Sequence, residues 1–297
     1  MNTSKTAVAG LVAFVALAAL AIAIALRPTG LPVPSAAERK VAATIFPLYD
    51  IARHLTGEGI EVVLVTPPGA NPHTFEPKPS LIRDLRGAVS LYAIGHGLDD
   101  WIDPVLAAEP SMKKIVVDRG ISLLDSTEDE GTDPHYWLDA QNGLLIAETI
   151  AADLTLSFPD RSEEIRRNLA AYEDALRAAD TEIRKELEPL AKRDLVTLHD
   201  AWYYFAEAYG LHVIGSFEPS PGRQPSPQYI AALRNAIRLS GTKTVYTEPQ
   251  ISASGLQSFI QDNGLRLVEL DPFGGIGNRQ SYIAVLRYNA EFILHNQ

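Results

Sequence analysis

Short runs of β-branched residues alternate with amphipathic helical patterns after residue 40, and this alternation restricts the possible folds more than any other feature of the chain. Strands that alternate with helices along a sequence are typical of α/β proteins with largely parallel sheets. The predicted strands cover residues 41–46, 61–65, 90–94, 114–117, 195–198, 212–215, 243–247 and 266–270. The predicted helices between and after them cover residues 48–55, 80–86, 100–107, 201–209, 227–239, 255–263 and 282–294.

One long helix is predicted between the two sets of strands, over residues 159–190. Its apolar residues recur at steps of three, four or seven, which is the pattern of a helix with one face against a protein core. These residues are Ile165, Leu169, Tyr172, Leu176, Ile183, Leu187 and Leu190. A coiled-coil dimer is the alternative, although the stripe is short for a sustained heptad pattern. We expect an N-terminal lobe over 40–157, the connecting helix over 158–191 and a C-terminal lobe over 192–297.

Residues 1–39 are predicted to be a targeting segment followed by a linker. Residues 7–26 carry no charge, and their length matches the span of a membrane's hydrocarbon core. Lys5 precedes this segment and a proline-rich run at 27–34 follows it, which favours export over a buried helix. Small residues at 35–37 suit a signal peptidase, so a cleaved signal peptide and an uncleaved anchor both stay open. We expect a periplasmic location or one at the extracellular face of the cytoplasmic membrane, tethered by residues 7–26 if they are retained.

Composition excludes several classes of function. The formal net charge is -11, so a nucleic acid is not an expected partner. The chain has no cysteine, which excludes disulfides, thiolate zinc sites and thiol catalysis. Any metal ion would therefore be bound by nitrogen and oxygen atoms. An acidic stretch over 124–133 is predicted to be an exposed loop, and the sequence does not indicate its role.

The seven histidines differ in their surroundings. His54, His212 and His295 lie in a helical pattern, at the start of a strand and near the C-terminus, where isolated histidines usually have packing or surface roles. His96 lies between two glycines after a strand, a position that can line a cleft, and its role is left open. The remaining three lie among turn-forming and polar residues and are the better candidates for a binding site.

His73, His135, His199 and Asp271 are the candidate metal ligands. His73 and His135 lie in predicted loops of the first half, and His199 and Asp271 each follow a predicted strand of the second half. Ligands of open α/β sheets bind in the crevice beyond the carboxyl ends of the strands, so these four can converge between the lobes. Three imidazoles and a carboxylate suit a tetrahedral zinc site with bonds of about 2.0 to 2.2 Å. Spacing alone does not establish convergence, because the four residues are far apart in sequence and form no compact ligand motif.

Four runs of sequence resemble the metal-binding solute-binding proteins of ABC importers, a family that takes up zinc and manganese. The runs are PGANPHTFEP at 68–77, DPHYWL at 133–138, LHDAWYYF at 198–205 and ELDP at 269–272. The resemblance extends over nearly the whole chain after residue 39, and the order of the four runs makes it specific. It implies two βα lobes with mainly parallel sheets joined by a long rigid helix, with the metal ion between the lobes. It also implies that His73, His135, His199 and Asp271 are the ligands.

The resemblance further implies a function, which is to capture Zn2+ outside the cytoplasmic membrane and deliver it to the permease of an ABC transporter. In this family a histidine at the third ligand position accompanies zinc proteins and an acidic residue accompanies manganese proteins, so His199 favours zinc. Such a protein is not an enzyme, and we expect a monomer. The same role for Mn2+ or Fe2+ is the closest alternative. An adhesin and a zinc hydrolase are more distant ones.

Acidic residues near the ligand runs are candidate partners of the histidines, because metal-bound histidines usually donate their second ring N–H to a carboxylate or carbonyl. The candidates are Glu76, Asp200 and Glu248. Glu76 and Asp200 precede predicted helices and could instead cap them, while Glu248 could pair with a buried arginine. Two features depart from many zinc-binding members of the family: the chain has the acidic run 125–133 where they have a histidine-rich loop, and it cannot form their disulfide.

Overall fold

The computed structural model of the chain describes residues 39–126, 131–218 and 225–297. The predicted targeting segment and nearly all of its linker lie outside the described residues, as does part of the predicted acidic loop, 127–130. None of the described helices is both long enough and apolar enough to cross a membrane.

The N-terminal lobe contains a sheet of four parallel strands in the order β2-β1-β3-β4. The strands are β1 (Lys40–Ala43), β2 (Glu61–Leu64), β3 (Ala88–Ala93) and β4 (Lys113–Val116). Between them lie the helices α1 (Phe46–Thr56), α2 (Pro79–Leu85) and α3 (Asp103–Ala108). Parallel neighbours require crossover connections of this kind, because a tight turn can join only antiparallel strands.

Two consecutive helices follow this sheet, α4 (Ala140–Ser157) and α5 (Ser162–Leu187), with a 3-10 turn at Pro159–Arg161 between them. The second of these, α5, corresponds to the predicted long helix. The apolar stripe predicted for it is buried at Ile165, Tyr172, Leu176, Ile183 and Leu187. It packs against α1 and α4, so the chain itself covers the stripe that a coiled-coil partner would otherwise bury.

Helix α4 was not predicted from the sequence, because it lacks the polar face by which an amphipathic helix is recognised. Its buried residues are distributed around most of its circumference, from Ala140 and Gly143 to Ala151 and Leu154. A helix that is apolar on nearly every side is typical of a core position. Gly143 has a specific packing role, because a Cβ atom there would lie 2.6 Å from the hydroxyl oxygen of Tyr282.

The C-terminal lobe repeats the arrangement, with four parallel strands in the order β6-β5-β7-β8. The strands are β5 (Asp194–His199), β6 (His212–Glu218), β7 (Thr244–Thr247) and β8 (Arg266–Glu269). The helices are α6 (Tyr203–Tyr209), α7 (Pro227–Ser240), α8 (Gln257–Asp262) and α9 (Tyr282–Asn296). Helix α9 packs against α5 and α1, and therefore joins the end of the chain to both the connecting helix and the first lobe.

The core has one part shared by the lobes and one part on the far face of each sheet. In β1, Val41 and Ala43 belong to the shared cluster and Ala42 to the outer one. In β5, Leu195 faces the shared cluster while Val196 faces the outer cluster of the second lobe. Successive side chains of a strand point to opposite faces, so the inner strands β1 and β5 are buried on both faces of their sheets. The predicted fold class, two parallel-sheet βα lobes joined by a long helix, is confirmed.

Candidate metal centre

Three imidazole rings meet between the lobes. One ring nitrogen from each of His73, His135 and His199 lies within 4.8 Å of the other two. Within residues 39–126, 131–218 and 225–297, this is the only group of three or more histidine or acidic side chains close enough to hold a metal ion. His73 lies in a 3-10 turn after β2, His135 lies in the segment after β4, and His199 is the last residue of β5. The structure therefore brings together three of the four predicted ligands.

The spacing of the rings fits a shared metal ion. Nε2 of His73 lies 3.1 Å from Nε2 of His135. Two nitrogens bound to one tetrahedral zinc ion at about 2.0 to 2.1 Å would lie about 3.3 Å apart. The rings of His73 and His199 are edge-on to each other with centroids 5.0 Å apart, and those of His135 and His199 are edge-on at 4.9 Å.

Burial favours the neutral form of two of the rings. It lowers the pKa of His73 well below its usual value, and the neighbouring His135 and His199 lower it further. The pKa of His135 is lowered mainly by burial and then by His199. Both rings can therefore offer a nitrogen lone pair to a metal ion at neutral pH.

The backbone around His73 is held by side chains on both sides. Oδ1 of Asn71 accepts a hydrogen bond from the backbone N–H of His73 at 2.9 Å. The indole N–H of Trp101 donates to the carbonyl oxygen of Pro72 at 2.8 Å, and the Trp101 ring packs edge-on against Phe75. Proline also restricts its own φ and the conformation of the preceding residue. These contacts fix the backbone from which the His73 side chain projects.

His135 is held by a carboxylate that was not among the predicted partners. Oδ1 of Asp133 accepts hydrogen bonds from the backbone N–H of His135 at 2.9 Å and from its ring Nδ1 at 2.7 Å. Burial raises the pKa of Asp133 to about 7. The Asp133-Pro134-His135 spacing is a signal that could have identified this contact, because an aspartate commonly accepts a hydrogen bond from a backbone N–H two residues later.

His199 is held by Glu248, one of the three predicted partners. Its Nδ1 lies 3.2 Å from Oε2 of Glu248, and Oε1 of the same carboxylate accepts the indole N–H of Trp202 at 2.9 Å. Burial alone would lower the pKa of His199. The negative charge and hydrogen bond of Glu248 outweigh it, and Asp200 and Asp133 contribute less. The pKa of His199 is therefore raised overall. Because Nδ1 is engaged in both His135 and His199, Nε2 is the nitrogen that each can offer to a metal ion.

The other two predicted partners have different surroundings. Glu76 is exposed, and no hydrogen bond among the described residues joins it to the three histidines. Asp200 is half-buried next to His199, and its Oδ1 accepts a hydrogen bond from Ser216 at 3.3 Å.

Asp271 is fully buried after β8 and lies outside the group of three histidines. Its Oδ1 accepts three hydrogen bonds, from Nε2 of Gln250 and from the backbone N–H groups of Phe273 and Gly274. Its Oδ2 lies 2.7 Å from Nε of Arg279, but the angle is not that of a hydrogen bond, so the contact is an ion pair.

The remaining histidines lie elsewhere. His96 has the only non-glycine positive φ among the described residues, 53°, and its Nε2 pairs with Oδ2 of Asp118 at 2.9 Å. Nδ1 of His54 and of His295 lies 2.8 Å from a backbone carbonyl oxygen one helical turn earlier. The side chain of His212 is 67% exposed.

Trp137 joins the segments that carry His135 and Asp271. Its indole N–H donates to the carbonyl oxygen of Pro272 at 2.7 Å, and its ring packs against both His135 and Phe273. The hydroxyl of Tyr282 donates in turn to the carbonyl oxygen of Trp137. The segments that carry the candidate ligands His135 and Asp271 are therefore connected directly by a buried hydrogen bond.

Comparison with known proteins gives a family match over most of the chain. A family model described as "Zinc-uptake complex component A periplasmic" matches residues 41–295. The high-affinity zinc uptake system protein ZnuA of Haemophilus ducreyi is 28% identical over 272 residues, which are 82% of this chain and 88% of that protein. The manganese-binding lipoprotein MntA of Halalkalibacterium halodurans is 27% identical over 258 residues, 85% of this chain and 86% of that protein.

The zinc-binding protein AdcA of Streptococcus pyogenes serotype M1 is 26% identical over 281 residues, and the chain spans about half of its length, 55%. Among solved structures, ZnuA superimposes with a TM-score of 0.79 at 29% identity, over 86% of this chain and 98% of that one. A ZnuA deletion mutant with zinc bound superimposes with a TM-score of 0.80 at 28% identity, over 86% and 97% of the two chains.

Proposed function

Because the chain belongs to the family of periplasmic zinc-uptake component A, we propose that it captures Zn2+ outside the cytoplasmic membrane and delivers it to the permease of an ABC transporter. The observation that carries the proposal is the group of three histidine nitrogens between the lobes. Two of those histidines are almost completely buried and each is paired with a buried carboxylate. Carboxylate–histidine pairs of this kind orient the ring and increase its basicity as a metal ligand.

His73, His135 and His199 bind the ion through Nε2 in this proposal. Asp271 supplies the fourth ligand through Oδ2, because Oδ1 already accepts three hydrogen bonds. Four protein ligands close a tetrahedral zinc site and leave no position for an activated water molecule. We therefore propose reversible capture and release, without catalysis.

Zinc is favoured over manganese by the nitrogen content of the site. Imidazole suits zinc, whereas carboxylate, carbonyl and water oxygens suit manganese. ZnuA and AdcA, which are zinc proteins by name, support the same choice.

The test is zinc titration by calorimetry on the variant that combines His73→Ala with His199→Ala. We expect one high-affinity zinc ion per wild-type chain and loss of that binding in the double variant. A matched control combines His212→Ala with His295→Ala, two exposed histidines outside the group, and should bind zinc as the wild type does. Undiminished zinc binding by the His73/His199 variant would show that the proposed site is wrong.

Manganese is the second candidate cargo, and the similarity to MntA favours it. Competition between zinc and manganese for protein purified without added metal would decide between the two. Preference for zinc supports the proposal, and preference for manganese would assign the chain to manganese uptake.

A further inference from the structure

The carboxylate of Asp271 has one oxygen that is already saturated. Oδ1 accepts the side-chain amide of Gln250 at 2.9 Å and the backbone N–H groups of Phe273 and Gly274 at 3.0 Å each. The residue is fully buried, and Asn289 fixes its backbone through the N–H and the carbonyl oxygen. Bidentate binding of an ion would require Oδ1 to give up these donors. Oδ2 is therefore the oxygen that can enter a metal shell without loss of these three hydrogen bonds.

Arg279 occupies the vicinity of that second oxygen. Its Nε lies 2.7 Å from Oδ2, and its side chain is 9% exposed. The guanidinium lies over the ring of Tyr288, 4.4 Å from the centroid, and one of its terminal nitrogens is 3.3 Å from Oε1 of Glu269. The backbone of Arg279 is also fixed, because its carbonyl oxygen accepts the N–H of Gly275. The cation is thus held against Asp271 and is not free to leave for solvent.

A fixed positive charge beside Oδ2 weakens that oxygen as a ligand, because it withdraws electron density and repels an approaching metal cation. The effect on binding depends on the metal. Zinc can be held largely by the three imidazole nitrogens, whereas manganese prefers oxygen ligands and a higher coordination number. Restricting the carboxylate to one weakened oxygen therefore lowers the affinity for manganese more than the affinity for zinc.

We infer that Arg279 is a specificity-determining residue, which selects against manganese by weakening Oδ2, the one oxygen of Asp271 that the donors on Oδ1 leave for a metal ion. The inference rests on the proposed function, in which the three histidines and Asp271 surround the ion. Arg279 acts through Asp271 and does not touch the metal itself.

The experiment measures the affinities of the purified chain for Zn2+ and Mn2+ by competition with a chelating dye, in the wild type and in Arg279→Gln. We expect manganese binding to tighten at least about tenfold, which is the usual size of effects from residues around a metal shell. Zinc affinity should change much less, so the selectivity for zinc falls. Arg279→Lys, which retains the positive charge, should keep most of the wild-type selectivity.

Two controls separate selectivity from folding. Arg184→Gln removes an arginine from a similar pair, since Arg184 lies 3.1 Å from the buried Asp180 on α5, and it should leave both affinities unchanged. Gln250→Ala removes one donor from Oδ1 and should tighten manganese binding by a smaller factor, and this variant tests the inference if Arg279→Gln does not fold.

An unchanged ratio of the two affinities in Arg279→Gln and Gln250→Ala would overturn the inference. That outcome differs from failure of the proposed function, in which the wild type would bind no zinc or the His73/His199 variant would bind it normally.

Discussion

At the scale of single residues, two of the three clustered histidines are held by carboxylates that bind Nδ1, on the side of the ring away from the shared centre. Asp133 holds His135 at its backbone N–H and at its ring, and Glu248 holds His199 while Trp202 holds Glu248. His73 has no such carboxylate among the described residues, and its ring is half-buried. The three candidate ligands are therefore unequal, because carboxylates hold two of them at the ring, whereas the side chains around His73 hold its backbone.

Asp133→Asn should weaken zinc binding by about ten- to a hundredfold, because the variant loses the carboxylate that accepts the ring N–H of His135. The backbone hydrogen bond can survive, since an asparagine oxygen can also accept the N–H of His135. The matched control is Asp118→Asn, which removes the carboxylate of the His96 pair outside the cluster and should leave zinc binding unchanged. Equal zinc affinities of the two variants would contradict the role of Asp133.

Zinc affinity should fall as the pH falls, because metal binding requires neutral imidazoles. The pKa values of His73 and His135 are lowered, so both stay neutral well below pH 6.5, whereas the pKa of His199 is raised and its ring takes up a proton first. The loss of zinc affinity should therefore begin above pH 6.5 as the pH falls. Glu248→Gln should move the onset of this loss to lower pH, because it removes the charge that raises the pKa of His199. Calorimetric titrations between pH 5 and 8 measure this, and a flat profile would argue against histidine ligands.

At the scale of elements, the structure contains the predicted strands and helices, and their ends differ from the predicted ends by a few residues. The strand predicted at 212–215 extends to Glu218, and the helix predicted at 159–190 is α5, Ser162–Leu187. Helix α4 was missed because periodicity identifies a helix by its polar face, and this helix has almost none. The loop that carries His73 is irregular, yet its backbone is tied to the N-terminal lobe through Trp101.

Trp101→Phe should loosen the His73 loop, because it removes the indole hydrogen bond to Pro72 and leaves the aromatic packing against Phe75 largely in place. We expect faster hydrogen exchange in residues 66–77 and a severalfold loss of zinc affinity, in line with a net hydrogen-bond contribution of about 1 kcal/mol. Tyr229→Phe also removes one hydrogen bond to a backbone carbonyl, that of Ser216, and serves as the control. Unaltered exchange in the loop would show that Trp101 does not hold it.

At the scale of the whole molecule, buried hydrogen bonds connect the two lobes on several sides of the site. Trp137 donates to Pro272, the backbone N–H of Tyr282 donates to Asp50 at 2.8 Å, and the hydroxyl of Tyr204 donates to the carbonyl oxygen of Asp133. Wide separation of the lobes would break these three hydrogen bonds, at a net cost of about 0.5 to 1.5 kcal/mol each, and would expose the apolar groups around them to water. Metal capture is therefore expected to involve local rearrangement with little movement of the lobes.

Spin labels on Ser111→Cys and Ser258→Cys test this expectation, because both positions are exposed, one lies on each lobe, and the chain has no other cysteine. We expect the distance distribution between the labels to be nearly the same with and without zinc. A shift of several ångströms on adding zinc would show that the lobes close around the ion.

The sequence by itself determined the class of fold and the segments that carry the candidate ligands, because both follow from local patterns: strand and helix periodicity, turn residues and the positions of the histidines. Only the tertiary structure decided which polar groups meet. It placed Glu248 and Trp202 behind His199, and Arg279 beside Asp271. The partner of a buried polar group is chosen by distance and burial after the chain has packed, and neither is encoded in sequence spacing.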